Sequence, residues 1–211
     1  MGYSISWFAV RNKTPDVLLD ELLLKRTGKM SDYPEVPISG RSLPSGWFIV
    51  VFNDIEHPLV SAISLAAVSK NCDVIVCMVK EHVMVSTSAL WKNGEQIWHV
   101  EHDAQTSIDH LQSSGDLPDD YATIVQEYAA QQEDAGGKEA DTDYFFEIPL
   151  RIAQDIVGFK HDESDFEEES FEEFHTTRSS TQPKPTKTPR PATPDNPQEN
   201  ILKSKPWWKL W

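Results

Sequence analysis

The sequence predicts an α+β domain with a mixed sheet, in the order β-α-β-α-β-β-β followed by two helices, and then a disordered C-terminal tail. Three observations carry this. Two runs, WFIVVF at 47–52 and VIVCMV at 74–79, are continuously apolar, as strands buried on both faces are. Asn93-Gly94 separates two alternating runs, the favoured signal of a two-residue hairpin. Organised patterning stops near Phe159, where an acidic stretch begins.

Tyr3 to Val10 is rich in β-branched and aromatic residues and reads as a strand. Thr14-Pro15-Asp16 starts a helix with an N-cap, a first-position proline and a first-turn acid. Val17, Leu18, Glu21, Leu22 and Lys25 occupy its successive turns, and it ends near Gly28. Residues 30–46, with three prolines and two glycines, read as a loop. His57-Pro58 opens a second helix running to about Asn71. Val83–Trp91 and Glu95–Asp103 are the arms of the hairpin, and Ser107–Ser114 fits either a short edge strand or a turn of helix. Leu117-Pro118-Asp119 starts a helix reaching Asp134, stopped by Gly136-Gly137. The last helix covers Leu150–Val157, with Gly158 as its C-cap. The expected organisation is a globular domain at 1–160, a disordered linker at 161–200 (acidic, then Pro/Thr-rich), and a basic Trp-rich docking peptide at 201–211.

Charge narrows the function classes. The chain holds 34 acids and 19 bases, a net charge of −15. Residues 1–160 alone hold 24 acids and 12 bases, so this body repels nucleic-acid phosphates and attracts a basic protein. Cys72 and Cys77, five apart around a strand, point to opposite faces and read as reduced core thiols of a cytoplasmic protein. Secretory and membrane-spanning segments are not expected, and neither is any cofactor, since phosphate-cradling glycine motifs are missing.

Counting outward from Asn93-Gly94 sorts the hairpin side chains into two faces. Trp91, Ala89, Thr87 and Val85 fall with Trp98, Val100 and His102 on an apolar face. Ser88, Ser86, Met84 and His82 fall with His99, Glu101 and Asp103 on a polar one. Ser86, Ser88, His99 and Glu101 are therefore candidates for nucleophilic catalysis, since a serine needs a base and an orienting acid in hydrogen-bond reach. His82, His99, Glu101 and Asp103 are candidates for a divalent metal. The plainer reading is a solvated hairpin face, where polar residues are expected.

The tail has its own plan. Asp162 to Glu173 contains eight acids and no base, with Phe166, Phe171 and Phe174 in or beside the run. Acidic-aromatic segments of this kind stay disordered alone and fold on a partner. Six prolines between 182 and 197 make an extended spacer. The segment KSKPWWKLW places Trp207, Trp208, Lys209, Leu210 and Trp211 together, a composition that suits an aromatic-anchored protein pocket or contact with a membrane surface. Docking back on the chain's own acidic body, as a basic latch, is a third destination.

The runs GYSISWFAVR, KEHVMVSTSALWKNGEQIWHVEHD and DYFFEIPLRIAQDIVGFKHD together resemble a group of uncharacterised bacterial proteins, over residues 1 to about 162. The resemblance implies a bacterial cytoplasmic origin and brings neither an activity nor site residues. The expected function is a non-enzymatic interaction protein: an acidic body, an immunity-type inhibitor of a basic protein being one form, with a tail ending in a docking peptide. The alternatives are a small hydrolase or metal-dependent enzyme on the polar hairpin face, and a membrane-peripheral protein held by its Trp/Lys end.

Overall fold

The computed structural model describes residues 2–31, 35–163 and 170–177. The chain is α+β. Its strands are β1 (Ser4–Arg11), β2 (Leu24–Ser31), β3 (Ile38–Ser42), β4 (Phe48–Phe52), β5 (Asp73–Lys80), β6 (Val85–Lys92), β7 (Glu95–Asp103), β8 (Gln112–Gly115) and β9 (Phe171–Thr176). Its helices are α1 (Pro15–Glu21), α2 (Ala62–Val68), α3 (Tyr121–Asp134) and α4 (Glu147–Val157). One nine-stranded sheet runs in the order β2-β9-β3-β4-β1-β5-β6-β7-β8.

Every strand pair described is antiparallel, where a mixed sheet is expected from the alternation of strands and helices. The reason lies in the connections. β1 is flanked by β4 and β5 and runs opposite to both, so β4 and β5 point the same way without pairing, and the crossover through α2 passes over β1.

Both faces of the sheet are covered, which explains the unbroken apolar runs. One face presents Ile5, Trp7, Val51, Ile75, Cys77, Trp98 and Val100 to Ile124 of α3 and to Ile148, Ile152 and Val157 of α4. The other presents Phe8, Val50, Phe52, Val76, Ala89 and Trp91 to Leu18, Leu19, Leu65 and Val68 of α1 and α2. Cys72 packs on the second face and Cys77 on the first, both as free thiols.

Three local expectations are corrected. The first helix stops at Glu21 because Leu22 and Leu24 are both buried. An alternating strand satisfies that spacing, with Leu23 turning the chain at φ 56°. The Pro/Gly segment 30–46 holds strand β3 and the end of β2. The second helix is split: Ser61 is extended and caps α2 by accepting from the Ser64 amide, leaving a separate 3-10 turn at Pro58–Val60.

The largest correction is the domain boundary. The globular body does not end at Lys160, because Phe171–Thr176 returns as β9, inserted between β2 and β3. Phe171 and Phe174, expected in a partner-binding tail, are instead 0% and 5% exposed. A strand sends residues three apart to opposite faces. Phe171 accordingly lies edge-on to Phe159 in one core, and Phe174 packs near Phe48 in the other. Gly40 makes room for this: a Cβ there would stand 2.8 Å from the Phe174 ring and 2.4 Å from the Ile49 carbonyl oxygen. The intervening acids have partners across the strand ladder, Glu172 with Arg26 and Glu173 with Ser31. Phe166, Trp207, Trp208, Lys209, Leu210 and Trp211 lie outside the described residues. Among the described residues no helix is long and apolar enough to cross a membrane.

Candidate functional site

The hairpin turn forms at Asn93-Gly94, with φ of 53° and 90°, and Lys92 faces Glu95 as the sequence predicts. Two pairs further on the register slips. Trp91 faces Gln96 and Leu90 faces Trp98, which leaves Ile97 as an extra residue on β7. The bulge is pinned from outside the hairpin. The Asp116 amide donates to the Ile97 carbonyl at 2.9 Å. Gly115 lies so close that a Cβ would fall 2.0 Å from that oxygen.

One extra residue exchanges faces for everything beyond it. His99 pairs with Ala89 rather than with Ser88, and Glu101 pairs with Thr87. Ser86 and Ser88 therefore lie on the α4 side of the sheet, and His99 and Glu101 on the other. Both serines are fully buried, and Ser86 Oγ donates to the Phe146 carbonyl at 2.7 Å. The expected Ser–His–acid nucleophile set is thus taken apart by the sheet itself.

The metal set also fails to assemble. His82 is exposed on a 3-10 turn (Glu81–Val83) before β6, and the chain then turns at Met84 with φ 50°. Among the described residues no group of three His, Cys, Asp or Glu is placed to hold a metal ion.

His99 and Glu101 do stay together. They line a cavity of about 390 Å³ with Leu111, Gln112, Ser113 and Ser114, the last three from edge strand β8. His99 Nε2 lies 3.9 Å from Glu101 Oε2. Burial pushes the His99 imidazole down to about 4. Burial, then the neighbouring Asp103 carboxylate, push Glu101 up to about 7. Thr87, fully buried and paired with Glu101, and Ser114, paired with His99 across β8, are the hydroxyl-bearing strand neighbours in place of Ser86 and Ser88.

The two shifts act oppositely on stability. Glu101 has a raised folded pKa, so its contribution is fully present below its unfolded value and is lost as pH rises through about 7. His99 has a lowered one, so its contribution is lost as pH falls from its ordinary 6.5 toward about 4. Glu101→Gln is therefore expected to raise the unfolding midpoint at pH 8 and to leave it nearly unchanged at pH 4.5. Equal changes at both pH values would show that Glu101 ionises normally.

A second polar cluster sits under α4. His102 is 0% exposed, with Nδ1 2.7 Å from the His110 carbonyl oxygen and Nε2 2.9 Å from Asp143 Oδ2. The carbonyl can only accept, so Nδ1 carries a proton and donates, and Nε2 shares a proton with the carboxylate. Asp143 Oδ1 accepts from the Phe146 amide at 3.1 Å, and His110 Nδ1 accepts from the Asp103 amide at 2.9 Å. One buried ring thus ties β7 to the loop after it and to the start of α4. The sequence signal was the alternation Trp98-Val100-His102, which places a histidine on an apolar face where it needs partners.

The segment from Asp116 to Asp141, which holds α3, is acidic, and Arg151 of α4 stands beside its Glu127. Asp116, Asp119, Asp120, Glu127, Glu133, Asp134, Glu139 and Asp141 are all exposed. Lys138 is the lone Lys or Arg from 116 to 141, and it is paired with Asp109 at 2.8 Å.

No family model, no curated protein and no solved structure matches this chain.

Proposed function

We propose that the chain is a non-enzymatic bacterial interaction protein of the cytoplasm, whose acidic body binds a basic protein and whose segment 201–211 is an aromatic docking peptide. An immunity-type inhibitor of a basic protein is the form this takes most naturally. The observation that carries the reading is the segment 116–141 with α3 in it, whose eight exposed acids stand against one lysine that is already paired. Such a field steers a cationic partner into encounter and repels nucleic acid. Three of these acids, Glu127, Glu133 and Asp134, lie on α3, which Ile124 and Gln132 anchor, and the other five lie in the segments before and after it.

The test is a charge swap. Asp119→Lys, Asp120→Lys and Glu127→Lys together change surface residues only. They are expected to abolish capture of basic proteins from a native lysate while leaving the melting temperature within a few degrees. Undiminished capture by the triple variant would remove the α3 surface from the account.

A second reading rests on the His99–Glu101 cavity, which keeps an imidazole and a carboxyl group within 4 Å in a partly enclosed space. It is a hydrolase-like site using His99 and Glu101 with Thr87 or Ser114 in place of Ser86 and Ser88. Turnover of ester or phosphoester substrates by the purified chain, lost in His99→Ala, would favour it over the interaction reading.

A further inference from the structure

The exposed apolar surface of the body is not scattered. Val17, Leu23, Met30 and Ile63 are the large exposed hydrophobics among the described residues, and Ile63 is 86% exposed. Two of the four, Leu23 and Ile63, line one groove of about 390 Å³ with Leu22, Pro58, Leu59 and Ala67. The groove runs between the end of α1, the 3-10 turn at Pro58–Val60 and α2. Its rim carries Glu21 and His57, and His57 is stacked on Phe52 at 4.2 Å.

The described chain ends at this groove. Thr176, the last residue of β9, is part of its lining. The next residue, Thr177, donates its amide to the Leu23 carbonyl at 2.8 Å. The remaining 34 residues therefore depart from beside Leu23, and 29 of them separate Thr177 from Trp207. Any flexible chain of that length has a root-mean-square span of about 30 Å. A tethered segment with such a span meets its own groove at an effective concentration in the millimolar range.

The chemistry also matches. An apolar groove needs apolar anchors, and the segment 203–211 offers Trp207, Trp208, Leu210 and Trp211. Its cations, Lys203, Lys205 and Lys209, would face Glu21 of the lining, which already pairs with Lys13, and the acidic body beyond it. From Arg178 onward the chain holds seven bases and two acids, the opposite sign to the body.

We propose that the groove between α1 and α2 is the seat of the chain's own segment 203–211, docked in cis through its tryptophans. The segment covers Leu23 and Ile63 and holds a basic peptide against an acidic body. This stands apart from the α3 reading: the groove and the α3 acids are on different elements, and either holds without the other.

The test uses the full chain with benzoyl-phenylalanine in place of Trp208, irradiated at low micromolar concentration, with cross-links mapped by mass spectrometry. The expected product is an intramolecular link to peptides containing residues 21–24 or 57–68, running as a monomer. Ile63→Asp, a surface change that leaves the core alone, is expected to cut that product at least tenfold. A matching readout is the methyl NMR spectrum, where the signals of Leu23 and Ile63 should move when Trp207, Trp208 and Trp211 are all replaced by alanine. Links confined to other parts of the body, links between chains that grow with concentration, or unmoved Leu23 and Ile63 methyls would each overturn the proposal. Loss of partner capture in the α3 charge variant with the cross-link intact would separate this result from the α3 reading.

Discussion

A chain ending at Lys160 is expected to lose cooperative folding or most of its stability, whereas a chain ending at Thr177 is expected to keep a cooperative melt, lowered only by the contribution of docked segment 203–211. The shorter chain lacks β9. Among the described residues β2 pairs with β9 alone, and β3 uses β9 as its second neighbour. Phe171 and Phe174 leave two cores at once, and burial of each is worth about 1.5–3 kcal/mol. Their loss also uncovers Phe159 and Phe48, and it strands Arg26 without Glu172. Domains of this size have a net stability of about 5–15 kcal/mol, so the combined loss consumes a large part of it. Thermal melts followed by far-UV circular dichroism check this directly. Matching melts for the Lys160 and Thr177 chains would mean that β9 adds nothing to the sheet.

His102→Ala is expected to cost about 3–5 kcal/mol, the range seen when one partner of a buried pair is removed. The carboxylate of Asp143 is 7% exposed and would keep the Phe146 amide as a partner while losing the imidazole. The His110 carbonyl would lose its donor in the same step. Because the ring bridges β7 to the start of α4, the damage should reach the α4 side of the core, which urea denaturation would register as a lowered midpoint. A His102→Phe, Asp143→Leu double variant removes both polar groups together, and it is expected to recover part of the loss. A cost below about 1 kcal/mol for His102→Ala would show that water replaces the ring freely.

Much of the fold could be read locally. The Asn93-Gly94 turn, the apolar runs of β4 and β5, and α4 closed by Gly158 at φ 78° all depend on residues adjacent in the chain. The elements that escaped depend on residues far apart. β9 reads as an acidic tail because the cation that answers Glu172 is Arg26, 146 positions away. β2 reads as a helix because its need for a neighbour is met by β9 rather than by anything local. Lys25, Arg26 and Lys29 suit it as an outer strand, where charge discourages pairing with other chains.

The candidate site failed for one physical reason. Alternation from the turn is correct until Ile97, and the bulge there is held by Gly115 and Asp116, which no count outward from Asn93-Gly94 includes. A single unpaired residue then moved His99 and Glu101 away from Ser86 and Ser88. The acidic excess of the body, by contrast, is visible in the composition, and the structure shows eight of those acids exposed in the segment 116–141.

The most direct test of the central claim is the salt dependence of binding between the full chain and the basic protein it captures, measured by calorimetry from about 50 to about 300 mM salt, a range over which the screening length falls to less than half, from about 14 to about 6 Å. The account predicts affinity that falls steeply with salt, and weak, salt-insensitive binding for the Asp119→Lys, Asp120→Lys, Glu127→Lys variant. Binding that is tight, indifferent to salt and unchanged by the three lysines would contradict it.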